Sequence, residues 1–147
     1  MERIDRHEQL VAWQFASELA DLIDTLIANG AARDNQGFRD QILKSSAKAP
    51  AQIAEGFARY TPRDSANYYR IARASLAETR THLQRGFHRE YWSEADQKKA
   101  LELAEGAFKT TGGLLASRLR LVREEERRKT EEKRRRPRQP ELPKPTP

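Results

Sequence analysis

Apolar residues recur along this chain at spacings of three and four, the signature of helices with one buried face. Leu10, Trp13, Ala16, Leu19, Ala20, Ile23, Leu26 and Ile27 form a first stripe, which predicts a helix from about His7 to Ala28. Asn29-Gly30 is expected to end it, because both residue types tolerate the left-handed backbone of a helix C-terminus. Asp34 or Asn35 is placed to cap a second helix with the stripe Phe38, Ile42, Ala49, Ile53 and Phe57. Pro50 falls inside it, where a proline removes a backbone hydrogen bond and kinks or breaks the helix. The stripe keeps its phase on both sides of Pro50, so one long kinked helix is expected rather than two short ones.

Thr61-Pro62-Arg63-Asp64 is a strong helix start: a capping hydroxyl, a proline at the first helical position and an acid in the first turn. The third helix should run to about His88 with Tyr69, Ala72, Leu76, Leu83 and Phe87 turned inward. Ser93 and Asp96 repeat this start for a fourth helix, whose stripe is Leu101, Ala104, Phe108, Leu115, Leu119 and Val122. Gly112-Gly113 weakens its middle by about 1 kcal/mol per glycine relative to alanine, in keeping with a close crossing or with fraying. Four amphipathic helices with short links predict an all-α, antiparallel up-down bundle over residues 7–122. Past Val122 the stripe stops. Arg123 to Arg136 is all charge apart from Thr130 and is expected to carry the fourth helix into solvent until Pro137 ends it. The Pro-rich remainder of the 123–147 tail is expected to be extended and disordered.

The composition agrees with this picture. A length of 147 residues suits one domain, and Ala, Leu, Glu, Lys and Arg dominate, which favours helix. There is no cysteine, which excludes a disulfide scaffold and thiolate metal sites. No apolar run approaches the roughly 20 residues of a membrane span, and the charged N-terminus lacks the apolar centre of a signal peptide. A cytoplasmic protein without membrane contact is expected. The net charge of +6 is localised: residues 1–117 hold 16 Lys and Arg against 16 Asp and Glu, and residues 118–147 hold 12 against 6.

Two segments stand apart from an ordinary amphipathic pattern. Pro50 to Arg59 reads P-A-Q-I-A-E-G-F-A-R, and Ala72 to Thr79 reads A-R-A-S-L-A-E-T. With Gln41-Ile42 and Phe38 upstream, they resemble the bacterial four-helix-bundle protein family whose founding members are encoded by intervening sequences in 23S ribosomal RNA genes. The resemblance covers about Glu8 to Val122, with Gln52 where the family usually has Asn and Ala74 where it has Gly. It implies a protomer that assembles into a ring-like homopentamer and has no enzymatic activity or cofactor. A related branch serves as the accessory protein of diversity-generating retroelements, where a basic pentamer binds the reverse transcriptase and nucleic acid; the resemblance extends that expectation of RNA or DNA and protein partners to this chain.

The residues themselves suggest two roles. Gln52, Glu55 and Arg59 share a face of the second helix, and Ser75 and Glu78 share one on the third, beside Arg73 and Arg80. A polar network of Gln52, Glu55, Arg73, Ser75 and Glu78 is expected between the two helices, setting register more than adding stability. A ligand contact or acid/base pair is the weaker alternative. Glu78 and His82 lack the Glu-x-x-His spacing of a di-iron bundle, and there is no Gly-rich phosphate loop or nucleophile elbow. No catalytic, metal or cofactor-binding residue is therefore assigned. The second role is phosphate binding by Arg127, Arg128, Lys129, Lys133, Arg134, Arg135, Arg136 and Arg138, with Arg59, Arg63, Arg70 and Arg73 on the bundle among Tyr60, Tyr68 and Tyr69. The same spacing allows a plain solvated helix closed by Glu124–Arg128 and Glu125–Lys129 pairs, and Tyr beside Arg also suits an oligomer interface.

Overall fold

The computed structural model describes residues 3–137. Four α-helices, α1 (Val11–Asn29), α2 (Gln36–Ala58), α3 (Pro62–His88) and α4 (Glu94–Arg135), form an all-α bundle, and no strand occurs among the described residues. α1 packs on α2 and α4, and α3 packs on the same two helices. Successive helices are joined by short connections and run up and down. Leu19, Ile23, Ile42, Ile53, Tyr69, Leu76 and Leu83 lie fully buried at the centre.

The capping residues act as the sequence suggests. The Asn35 side chain accepts from Phe38 N at 3.2 Å, Thr61 Oγ1 from Asp64 N at 3.2 Å and Ser93 Oγ from Asp96 N at 3.1 Å. α2 passes through Pro50 as one helix. The flanking burial explains it: Ala49 and Ile53 remain on the core face on either side of the missing N–H.

Three details differ from the expectation. First, α1 begins at Val11 rather than His7. His7–Gln9 forms a separate 3₁₀ turn, because the Gln9 side chain folds back to accept from Asp5 N and Arg6 N, while extended Leu10 carries its side chain into the core. Second, Gly30 has φ −116° and ψ 179°, so α1 ends in extended backbone, not left-handed backbone. The chain needs that direction to enter a 3₁₀ turn, Ala31–Asp34, whose Ala32 is buried. Third, Phe87 is 39% exposed rather than inward. The inward position after Leu83 is Gly86, and the Trp92 ring occupies the space beside it: a side-chain carbon on Gly86 would fall 2.0 Å from Trp92 Cη2. Trp92 Nε1 donates to Gln97 Oε1 at 2.7 Å, so the indole is buried with its N–H satisfied.

α4 has 42 residues against 27 in α3. Its last 13 residues, Arg123–Arg135, lie past the apolar stripe and, as one helix, span about 20 Å. The disordered tail expected from the sequence, and Arg138 within it, lie outside the described residues.

Candidate functional site

The seam between α2 and α3 is polar; of the residues the sequence suggested it holds Gln52 and Ser75, and its other members differ. Ser75 Oγ donates to Gln52 Oε1 at 2.8 Å and bridges the two helices. One turn deeper, Thr79 Oγ1 lies 3.1 Å from Ser45 Oγ and 2.8 Å from its acceptor, the Ser75 carbonyl. At the other end, Ser65 Oγ donates to the Gly56 carbonyl at 2.7 Å. Ser45, Ser65, Ser75 and Thr79 are all buried. Glu55 and Glu78 face outward instead. Among the described residues Glu55 enters no ion pair, and Glu78 approaches His82 at 3.6 Å on its own helix. Carboxylates have no reason to enter the seam when neutral hydroxyls and one amide fill it without the desolvation cost of a charge.

Ser45, Ser65 and Thr79 lie outside the network expected from the sequence. Their phase does mark them. Ser45 lies three after Ile42 and four before Ala49, Thr79 lies three after Leu76 and four before Leu83, and Ser65 lies four before Tyr69. All three therefore fall on buried stripes.

Arg73 belongs to the other seam. Its guanidinium carbon stands 4.0 Å above the Phe108 ring of α4, beside Gly112, where a side-chain carbon would make an ordinary contact 3.5 Å from Arg73 Nε. Tyr69 Oη, Arg73 Nε and Thr111 Oγ1 are buried without a hydrogen-bond partner. Arg73 is thus committed to α3–α4 packing and joins neither the Gln52–Ser75 bond nor the exposed basic set.

The remaining basic residues gather toward one end. The Arg59 guanidinium lies 4.4 Å over the Tyr68 ring and donates to the Tyr68 hydroxyl. Arg63, at the start of α3, pairs with Glu126 of α4. That pair ties the base of the α4 projection to the α2–α3 turn. Arg70 is exposed on α3, and Arg127, Arg128, Lys129, Lys133, Arg134, Arg135 and Arg136 are exposed on or just past α4. Among the described residues, Glu124–Arg128 and Glu125–Lys129 do not close as ion pairs; within the projection the pair that forms is Glu132–Arg136 at 3.4 Å. Most of its cations therefore remain available to an external anion.

Among the described residues no three His, Asp or Glu side chains converge as a metal site, and no helix is long and apolar enough to cross a membrane. No curated protein is similar enough to match the chain. The model of the 23S rRNA-intervening sequence protein family matches residues 8–113, which cover α1 to α3 and the first half of α4. The match spans more than half of the 147 residues and coincides with an all-helical four-helix fold, so the chain belongs to the 23S rRNA-intervening sequence protein family.

Proposed function

We propose that this chain is a non-enzymatic, oligomeric adaptor that binds nucleic acid through the basic surface at the α4 end of the bundle. The observation that carries the reading is the continuity of α4 to Arg135. It displays Arg127, Arg128, Lys129, Lys133, Arg134 and Arg135 on a fixed rod beyond the packed core. Cations held this way bind phosphates and release counterions, with little sequence information in the contact. Several copies in one assembly would multiply weak contacts into firm binding.

The test is salt-dependent binding of RNA and DNA to the full chain and to a chain lacking residues 123–147. Binding should weaken linearly in log–log form as salt rises, and the shortened chain should lose most of that slope. Absence of binding at low salt would overturn the nucleic-acid role. Sedimentation of the full chain as a monomer would overturn the oligomeric one.

A further inference from the structure

We infer that the α2–α3 turn is a docking point for single-stranded nucleic acid, with Tyr60 as the platform on which an unpaired base stacks. The inference rests on the nucleic-acid reading above and narrows its ligand.

The four tyrosines are used differently. Tyr69 is buried in the core, Tyr91 receives a hydrogen bond from the Asn35 amide at 2.8 Å, and the Tyr68 ring is covered by Arg59. Tyr60 is fully exposed. One exposed aromatic ring means little by itself, but this one sits in a particular setting. It lies between Arg59 and Arg63, on the three-residue link Arg59–Thr61, which is fixed by the Thr61 cap and by Pro62 at the start of α3. A ring presented from a stiff turn loses little freedom on binding.

The Arg63–Glu126 pair brings α4 to the same end. Residues three and seven beyond Glu126 share its side of the helix. These are Lys129 and Lys133, both exposed. The projection therefore turns two further cations toward the end of the bundle that carries Tyr60. An accessible aromatic face among separated cations matches a strand whose bases are free to stack while its phosphates meet Lys and Arg. A duplex keeps its base faces covered and offers Tyr60 nothing to stack on.

The experiment is fluorescence anisotropy of the full chain with a labelled RNA strand of about a dozen nucleotides, a DNA strand of the same sequence, and the corresponding duplex. Tyr60→Ala should weaken single-strand binding roughly tenfold, with the salt slope unchanged and duplex binding unaffected. Tyr60→Phe should retain binding. Lys129→Gln with Lys133→Gln should instead lower the salt slope on every ligand. Loss on both single strands marks recognition by stacking, and loss on RNA alone adds a 2′-hydroxyl contact; either is an expected result. Because Tyr60 touches nothing in the core, the variant should melt like the parent. Equal loss on the duplex, or no loss on any strand, would overturn the inference while leaving nucleic-acid binding intact. A changed sedimentation coefficient for Tyr60→Ala would also overturn it, by making Tyr60 a contact between copies. If the parent chain binds none of the three ligands, the broader reading fails as well.

Discussion

The backbone of Gly56 lies against the ring of Tyr69, so closely that a side-chain carbon on Gly56 would stand 2.7 Å from Tyr69 Cε1 and 2.9 Å from Cδ1. Tyr69 is fully buried and cannot swing away, and the Ser65 hydroxyl ties the Gly56 carbonyl to the same helix. Gly56→Ala gains up to about 1 kcal/mol in helix propensity but overpacks a rigid contact at a cost of about 1–3 kcal/mol. The expected outcome is net destabilisation, read as a lower midpoint in urea. A higher midpoint would show that α2 and α3 can separate without loss.

The α2–α3 seam predicts a contrast between its hydroxyls and its nearby acids. Thr79→Val removes a buried donor that serves the Ser75 carbonyl and should cost about 1 kcal/mol. Glu55→Ala and Glu78→Ala alter outward side chains and should each stay within about 0.5 kcal/mol of the parent. Equilibrium unfolding of the three variants decides it; a large loss on either glutamate substitution would return the acids to the structural network.

Two buried hydroxyls without partners point the other way. Tyr69→Phe and Thr111→Val each remove a polar atom that folding desolvates without compensation. Both variants should match or exceed the parent in thermal stability. A loss of more than about 1 kcal/mol would reveal that these hydroxyls are satisfied in solution.

Tyr91 carries a pH signature. The Asn35 amide donates to its phenol oxygen, and Arg89 adds a nearby positive charge, so its pKa lies below the ordinary 10.0. At neutral pH the phenol is protonated in folded and unfolded chains alike and contributes nothing. As pH rises toward 10, the folded chain releases this proton first, so the group adds stability that is fully present above the unfolded pKa and is lost as pH falls through the folded one. Near-ultraviolet titration should show one tyrosine ionising early. Asn35→Ser, which keeps a capping oxygen on α2, should move that ionisation upward.

The Arg63–Glu126 pair is largely exposed and should contribute no more than about 1 kcal/mol in a double-mutant cycle. Its effect should appear instead in local motion. Glu126→Ala is expected to speed amide hydrogen exchange over residues 123–135 while leaving the bundle's melting unchanged. Uniformly high protection along that stretch in the variant would mean that other contacts hold the projection.

Much of this architecture is legible residue by residue. Thr61-Pro62 and Ser93 announce helix starts because capping is local chemistry, and the stripe through Ile42, Ala49 and Ile53 reports a continuous α2 despite Pro50 because the period survives it. The glutamates follow no such local rule. Glu55 and Glu78 each sit beside core residues in sequence, yet one step along a helix turns a side chain by about 100°, enough to move it from the seam to solvent. Phe87 and Gly86 exchange roles for the same reason, settled by where Trp92 folds back.

By itself, then, the sequence determined the four helices, the N-caps of α2 to α4, the family signature and the charge imbalance of the C-terminal segment, because each depends on neighbours within a few residues. Only the tertiary structure decided that Ser45 and Thr79 join Gln52 and Ser75 in the seam while Glu55 and Glu78 turn outward, that Arg73 turns to Phe108, and that Arg63 meets Glu126 beside the turn bearing Tyr60. Those choices depend on which faces of different helices meet, and helix packing sets that through side-chain shape rather than through any local rule.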